Sequence, residues 1–173
     1  MIAIEKQKAS QRLLELAALL EYPTLEVAER CDLKFEDLES RYIRLFVNNL
    51  GGVAAPPYAG CFLDKENRLE FMSQFSGWCL EHGVAIDQGQ PPDYIPMMVE
   101  VLVMLLNEDA EQKTLHSLIA DFYRQWPEAF ASSLRRHDDV GIYVTVAEEL
   151  CSILREIATE TASSTVADDR ADG

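Results

Sequence analysis

The chain has 173 residues, enough for one domain with a full core, and its 48% hydrophobic content is ordinary for a globular protein. Fifteen basic residues face 30 acidic ones, a formal charge of −15. A field of that sign repels nucleic-acid backbones and anionic membrane surfaces and favours a cationic partner such as a basic peptide, although acidity for solubility alone accounts for it equally well.

The periodicity is helical nearly throughout. A first helix is expected over about residues 3–21, with Leu13, Leu16, Ala17 and Leu20 on one face and Tyr22-Pro23 ending it. Thr24 is placed to cap a short second helix that runs through Cys31. A third, over about 34–48, carries Leu38, Tyr42, Leu45 and Phe46 at buried-face spacing. Residues 49–63 break the pattern. Gly51-Gly52 and Pro56-Pro57 forbid regular helix, yet Val53, Tyr58, Cys61, Phe62 and Leu63 are too apolar for a free tether. A loop packed on the helical body is expected there.

Asp64 is a candidate cap for a fourth helix, with Phe71, Met72, Phe75, Trp78 and Cys79 inside and Gly83 after its end. Asp93 is expected to cap a fifth helix, apolar almost all round from Ile95 to Leu106, which belongs at the centre of a bundle. Its methionines, Met97, Met98 and Met104, fit core packing better than an adaptable binding surface. Asp109 and Gln112 have capping-box spacing before a sixth helix, lined by Leu115, Leu118, Ile119 and Phe122 and interrupted at Trp126-Pro127. A last long helix carries Tyr143, Val146, Ala147, Leu150, Leu154 and Ile157. The fold class is therefore all-α: a single-domain bundle (residues 1–158) around a central apolar helix at about 94–107, followed by a flexible acidic tail over 159–173.

Cys31, Cys61, Cys79 and Cys151 form no CxxC pair, so reduced thiols are expected rather than a metal site or a disulfide framework. The N-terminus lacks signal-peptide order, and the longest apolar stretch, Tyr94 to Leu106, is well short of the roughly 20 residues that span a bilayer. A cytoplasmic protein without stable membrane insertion follows. The histidines are scattered, and no HExxH, GxSxG, P-loop or GxGxxG pattern is present. We therefore expect no catalytic residues, no metal and no cofactor.

Three stretches together carry a family resemblance. Tyr42-Ile43-Arg44-Leu45-Phe46 is a Y-x-x-L-F motif; Pro56-Pro57-Tyr58-Ala59-Gly60 is a proline–proline–aromatic loop; Pro92-Asp93-Tyr94-Ile95 opens the apolar helix. In this order the chain resembles the TorD/DmsD/NarJ family of redox-enzyme maturation chaperones, with Tyr94 where most members have histidine and Gly60 where many have serine. The resemblance implies a partner: the apo catalytic subunit of a molybdenum oxidoreductase, gripped by its N-terminal leader, often of twin-arginine type, until the cofactor is inserted. It allows monomers and helix-swapped dimers. The implied peptide site comprises Tyr42, Leu45, Phe46, Pro56, Pro57, Tyr58, Asp93 and Tyr94, with Asp93 as the arginine partner. For Leu45 and Phe46, core packing and a groove wall both remain open. Asp93 is expected to cap its helix with one oxygen and keep the other for a ligand. The alternative from another class is a helical adaptor or regulator that binds some other protein.

Overall fold

The computed structural model describes residues 3–47, 52–63, 67–137 and 141–171. Its helices are α1 (Ala3–Leu20), α2 (Leu25–Arg30), α3 (Phe35–Tyr42), α4 (Arg68–Glu81), α5 (Ile95–Asn107), α6 (Gln112–Phe122), α7 (Trp126–His137) and α8 (Ile142–Ala171). A π-helical turn, Ile43–Val47, continues α3, and a 3-10 turn spans Ala59–Phe62. Among the described residues no strand forms, and the all-α single-domain expectation holds.

α5 lies at the centre. Ten of its 13 residues are buried, so it presents core on all sides, as its all-round apolar sequence requires. Pro96 sits in its first turn, where a missing N–H leaves no hydrogen bond unmade. α1 packs along α5, and α8 packs against α1, α6 and α7. Arg12 of α1 ties to α8 through both carboxylate oxygens of Glu149, each at 2.6 Å.

Local chemistry sets several boundaries. The Thr24 hydroxyl accepts the Val27 N–H, capping α2. α4 ends as a Schellman motif: Gly83 takes φ +71°, Val84 N–H reaches Cys79 O at 2.8 Å, and Val84 is buried behind it. His82, beside that glycine, stacks on Trp78 and bonds its carbonyl oxygen through Nδ1.

Other boundaries differ from the sequence reading. Tyr94, not Asp93, is the N-cap residue of α5, and it makes no side-chain cap bond. The Asp109–Gln112 box does not form: Glu111 precedes α6, while Asp109 takes φ +51° and pairs with Lys6. Asp64 lies outside the described residues, and α4 begins after Asn67. Trp126-Pro127 does more than interrupt a helix. It opens α7, with Trp126 Nε1 donating to the Phe122 carbonyl across the corner. α8 continues past residue 158 to Ala171, and Thr161 is buried on it.

Candidate peptide-binding site

The loop at 52–63 is fastened to three helical segments. Ala55 N–H donates to Leu45 O (2.8 Å) and Ser133 Oγ of α7 donates to Ala54 O (2.8 Å). Ala59 N–H donates to Asp93 O (2.7 Å), and Ile95 N–H donates to Pro57 O (2.9 Å). The last two make Tyr58 and Tyr94 an isolated antiparallel bridge. Pro57, lacking an N–H, contributes only its carbonyl, which is the group this pairing uses. Phe62 then packs edge-on against Phe130, 5.3 Å between ring centroids. The loop thus behaves as a stitched flap, and Pro57 ties the proline pair to the start of α5.

This stitching brings Tyr58, Asp93 and Tyr94 together. Tyr58 and Tyr94 are half-buried, their rings 5.6 Å apart. Tyr94 shares a side-chain hydrogen bond with Tyr42, and Tyr42 lies 5.3 Å from Tyr22 at the end of α1. A continuous row of tyrosines, 22–42–94–58, therefore crosses from α1 to the flap. Acid groups border it. The Tyr22 hydroxyl donates to Glu39, and Glu21 is close enough to act electrostatically on Tyr42, Tyr94 and Glu100. Burial, then the neighbouring Tyr58, pushes Tyr42 up to about 12; burial and then Tyr42 raise Tyr94. Burial first, and then Glu21, raise the pKa of Glu100.

Leu45 and Phe46 go to the core, with 0% and 5% of their surface exposed. Phe46 meets Tyr42 and Tyr143, each at 4.9 Å. They back the tyrosine row instead of forming its surface. Tyr42 is also buried apart from its edge, Pro57 is buried, and Pro56 is half-buried.

Asp93 is completely buried. Its Oδ2 accepts Arg68 Nε at 2.7 Å and Gly60 N–H at 3.2 Å, and its Oδ1 accepts Arg68 Nη2 at 3.2 Å. The expected free oxygen is not there: a guanidinium from α4 takes both. The hydrogen bond to Asp93 in turn raises the pKa of Arg68. The Arg68 guanidinium also lies 5.3 Å from the centroid of the Tyr58 ring.

Gly60 explains how the arginine enters. A Cβ there would stand 2.4 Å from Arg68 Cγ and 2.7 Å from Asp93 Oδ2, so the glycine leaves the space that the arginine fills.

Arg68, Tyr22, Glu21 and Glu100 were not among the site residues expected from sequence. For Arg68 a signal existed. Between Arg44 and Lys113 the only lysine or arginine residues are Lys65 and Arg68, so a buried carboxylate in this region has few cations to choose from. Among the described residues no group of three or more His, Cys, Asp or Glu side chains could hold a metal, and no helix is long and apolar enough to cross a membrane.

The chain matches the family model of the nitrate reductase delta subunit over residues 5–139. No curated protein matches its sequence significantly. Its fold is similar to the crystal structure of a candidate redox enzyme maturation protein from Archaeoglobus fulgidus, with a TM-score of 0.64 and 22% identity, covering 84% of this chain and 93% of the other. The three ordered motifs, the bundle around α5 and the match across most of the chain lead to one assignment: this protein belongs to the nitrate reductase delta subunit family, the group of TorD/DmsD/NarJ-type maturation chaperones.

Proposed function

We propose that the protein is a cytoplasmic, non-catalytic chaperone that binds the N-terminal leader of an apo molybdopterin oxidoreductase catalytic subunit and holds the subunit for insertion of its molybdenum cofactor. The observation that carries this reading is the tyrosine row bordered by Glu21 and Glu39, with Glu100 near enough to Glu21 to feel its charge. A leader needs an apolar surface for its greasy segment and negative groups for its arginines. Tyrosine rings supply the first at low entropic cost and also attract guanidinium faces. The carboxylates supply the second, and the charge of −15 favours encounter with a cationic segment.

The peptide contacts are Tyr58 and Tyr94 on the flap side and Tyr22 and the edge of Tyr42 on the α1 side. Pro56 and Pro57 fix the flap, Leu45 and Phe46 support it from the core, and Asp93 meets arginine chemistry at its base. Tyr94 stands where most relatives have histidine, so the contact at this position carries no charge that titrates near neutral pH.

The test is titration of the protein with a synthetic leader from a molybdopterin subunit encoded beside its gene. Tyr58→Ala and Tyr94→Ala should each weaken binding roughly tenfold, as expected of aromatic anchors. Unchanged affinity in both would remove the site. No affinity for such a leader or its apo subunit would remove the function and favour a helical adaptor with a different partner.

A further inference from the structure

Asp93, Tyr58 and Gly60 form a complete receptor for a guanidinium, and the receptor is already filled from within. The carboxylate offers both oxygens as a fork, and the Tyr58 ring lies beside the planar cation. We propose that Arg68 is a resident placeholder in this receptor, displaced when the arginine of a bound peptide takes its position on Asp93. The identity of the ligand rests on the leader-binding reading above.

Three observations favour exchange over a purely structural clip. First, Asp93 has no exposed surface, whereas the Arg68 side chain is 36% exposed. Arg68 is therefore the member of the pair that solvent, or a ligand, reaches. Second, the flap has fastenings that do not involve Arg68. The Ala55–Leu45, Ser133–Ala54, Ala59–Asp93 and Ile95–Pro57 hydrogen bonds hold it through the backbone and Ser133. Third, Arg68 is the first residue of α4, while that helix is anchored farther along by Phe71 and Phe75, which pack edge-on against Phe122. Rotation of the Arg68 side chain removes it from Asp93 without moving the helix.

The energetics of exchange then set selectivity. Removing the arginine alone strands a buried carboxylate, which is strongly unfavourable, so Asp93 does not stand empty. Replacing one guanidinium by another restores the pair and gains little by itself. A free arginine, or an arginine in a polar sequence, therefore competes poorly with Arg68. A peptide displaces it only when further contacts, such as apolar residues on Tyr58 and Tyr94, add to the balance. A lysine would serve less well, since an ammonium lacks the planar pair of donors that matches both oxygens of the fork.

The test begins without any client. Arg68→Ala should melt several degrees below wild type, because Asp93 loses its partner. Methylguanidinium at tens of millimolar should restore part of that loss, methylammonium at equal ionic strength should not, and the double variant Arg68→Ala/Asp93→Asn should show no guanidinium-specific recovery. Should Arg68→Ala fail to fold, Arg68→Gln, which keeps a donor toward Asp93, takes its place in the same assay. Absence of rescue, or equal rescue by methylammonium, overturns the proposal.

The second arm titrates a synthetic arginine-bearing leader into wild type and Arg68→Gln. The variant should bind on the order of tenfold more tightly, and the gain should vanish when the leader arginines are replaced by glutamine. A leader that binds both proteins equally sinks the placeholder and spares the chaperone reading. A leader that binds neither, while methylguanidinium still rescues Arg68→Ala, sinks the leader reading and leaves Asp93 as a guanidinium receptor.

Discussion

A Cβ atom on Gly60 would lie 2.4 Å from Cγ of Arg68, so this glycine of the flap and the one cation of α4 share a space. A side chain at position 60 would exclude Arg68 from its present pose. The glycine and the arginine are therefore one structural unit joined at Asp93.

Gly60→Ala should force Arg68 away from Asp93 or push the flap off α5. Overpacking of this kind costs about 1–3 kcal/mol, and disturbing a buried ion pair adds to it. We expect a loss of roughly 2 kcal/mol or more in chemical denaturation. Combining it with Arg68→Ala should cost much less than the sum of the two single changes, since both remove the same contact. Full additivity would show that the two residues act independently.

The Arg12–Glu149 pair gives an acid-side test. The hydrogen bond from Arg12 holds the Glu149 carboxyl below its ordinary value of 4.5. A depressed carboxylate stabilises the fold above its unfolded pKa, and the contribution disappears as pH falls through the folded value. Glu149 keeps 34% of its side-chain surface exposed and Arg12 43%, so solvent screening limits the pair to about 1 kcal/mol. Glu149→Gln should be less stable than wild type by about that amount at neutral pH, and the two should converge as pH falls below the ordinary carboxylate range. Parallel stability curves across that range would contradict the assignment.

Tyr42 supplies the alkaline counterpart. Burial and the neighbouring Tyr58 place its hydroxyl at about 12, against an ordinary value of 10.0. The folded state thus holds this proton more tightly than the unfolded chain does. Its contribution is intact below the ordinary tyrosine value and falls as pH rises through about 12. Tyr42→Phe, which has no proton to lose, should show a shallower decline in stability above about pH 10. An identical slope in the two proteins would place Tyr42 outside the buried network.

Thiol reactivity should divide the cysteines by position. Burial pushes Cys79 and Cys151 up to about 11, whereas Cys61 is exposed and Cys31 is partly so. Burial raises the last two as well, but reagent can reach them. Iodoacetamide at neutral pH should modify Cys61 first and Cys31 next, with Cys79 and Cys151 reacting only after unfolding; peptide mass mapping reads the order. Early modification of Cys79 would be inconsistent with the packing of α4.

Most features that depend on near neighbours are legible in the amino-acid order, although the Asp109–Gln112 box does not form. The 3.6-residue repeat marks the helices, Thr24 and Gly83 set two of their ends, and the unbroken apolar run from Ile95 demands a central position for α5. Proline and glycine spacing likewise places a packed loop at the flap. The role of Asp93, by contrast, is set by the packing of distant elements. Its position before α5 reads locally as a cap, but a guanidinium 25 residues away in sequence offers a buried carboxylate a charged, two-pronged partner that a helix N–H does not. The same holds for the tyrosine row, whose members come from the turn after α1, from α3, the flap and the start of α5. Side-chain pairing between distant elements is a property of packing, and a linear pattern does not record it.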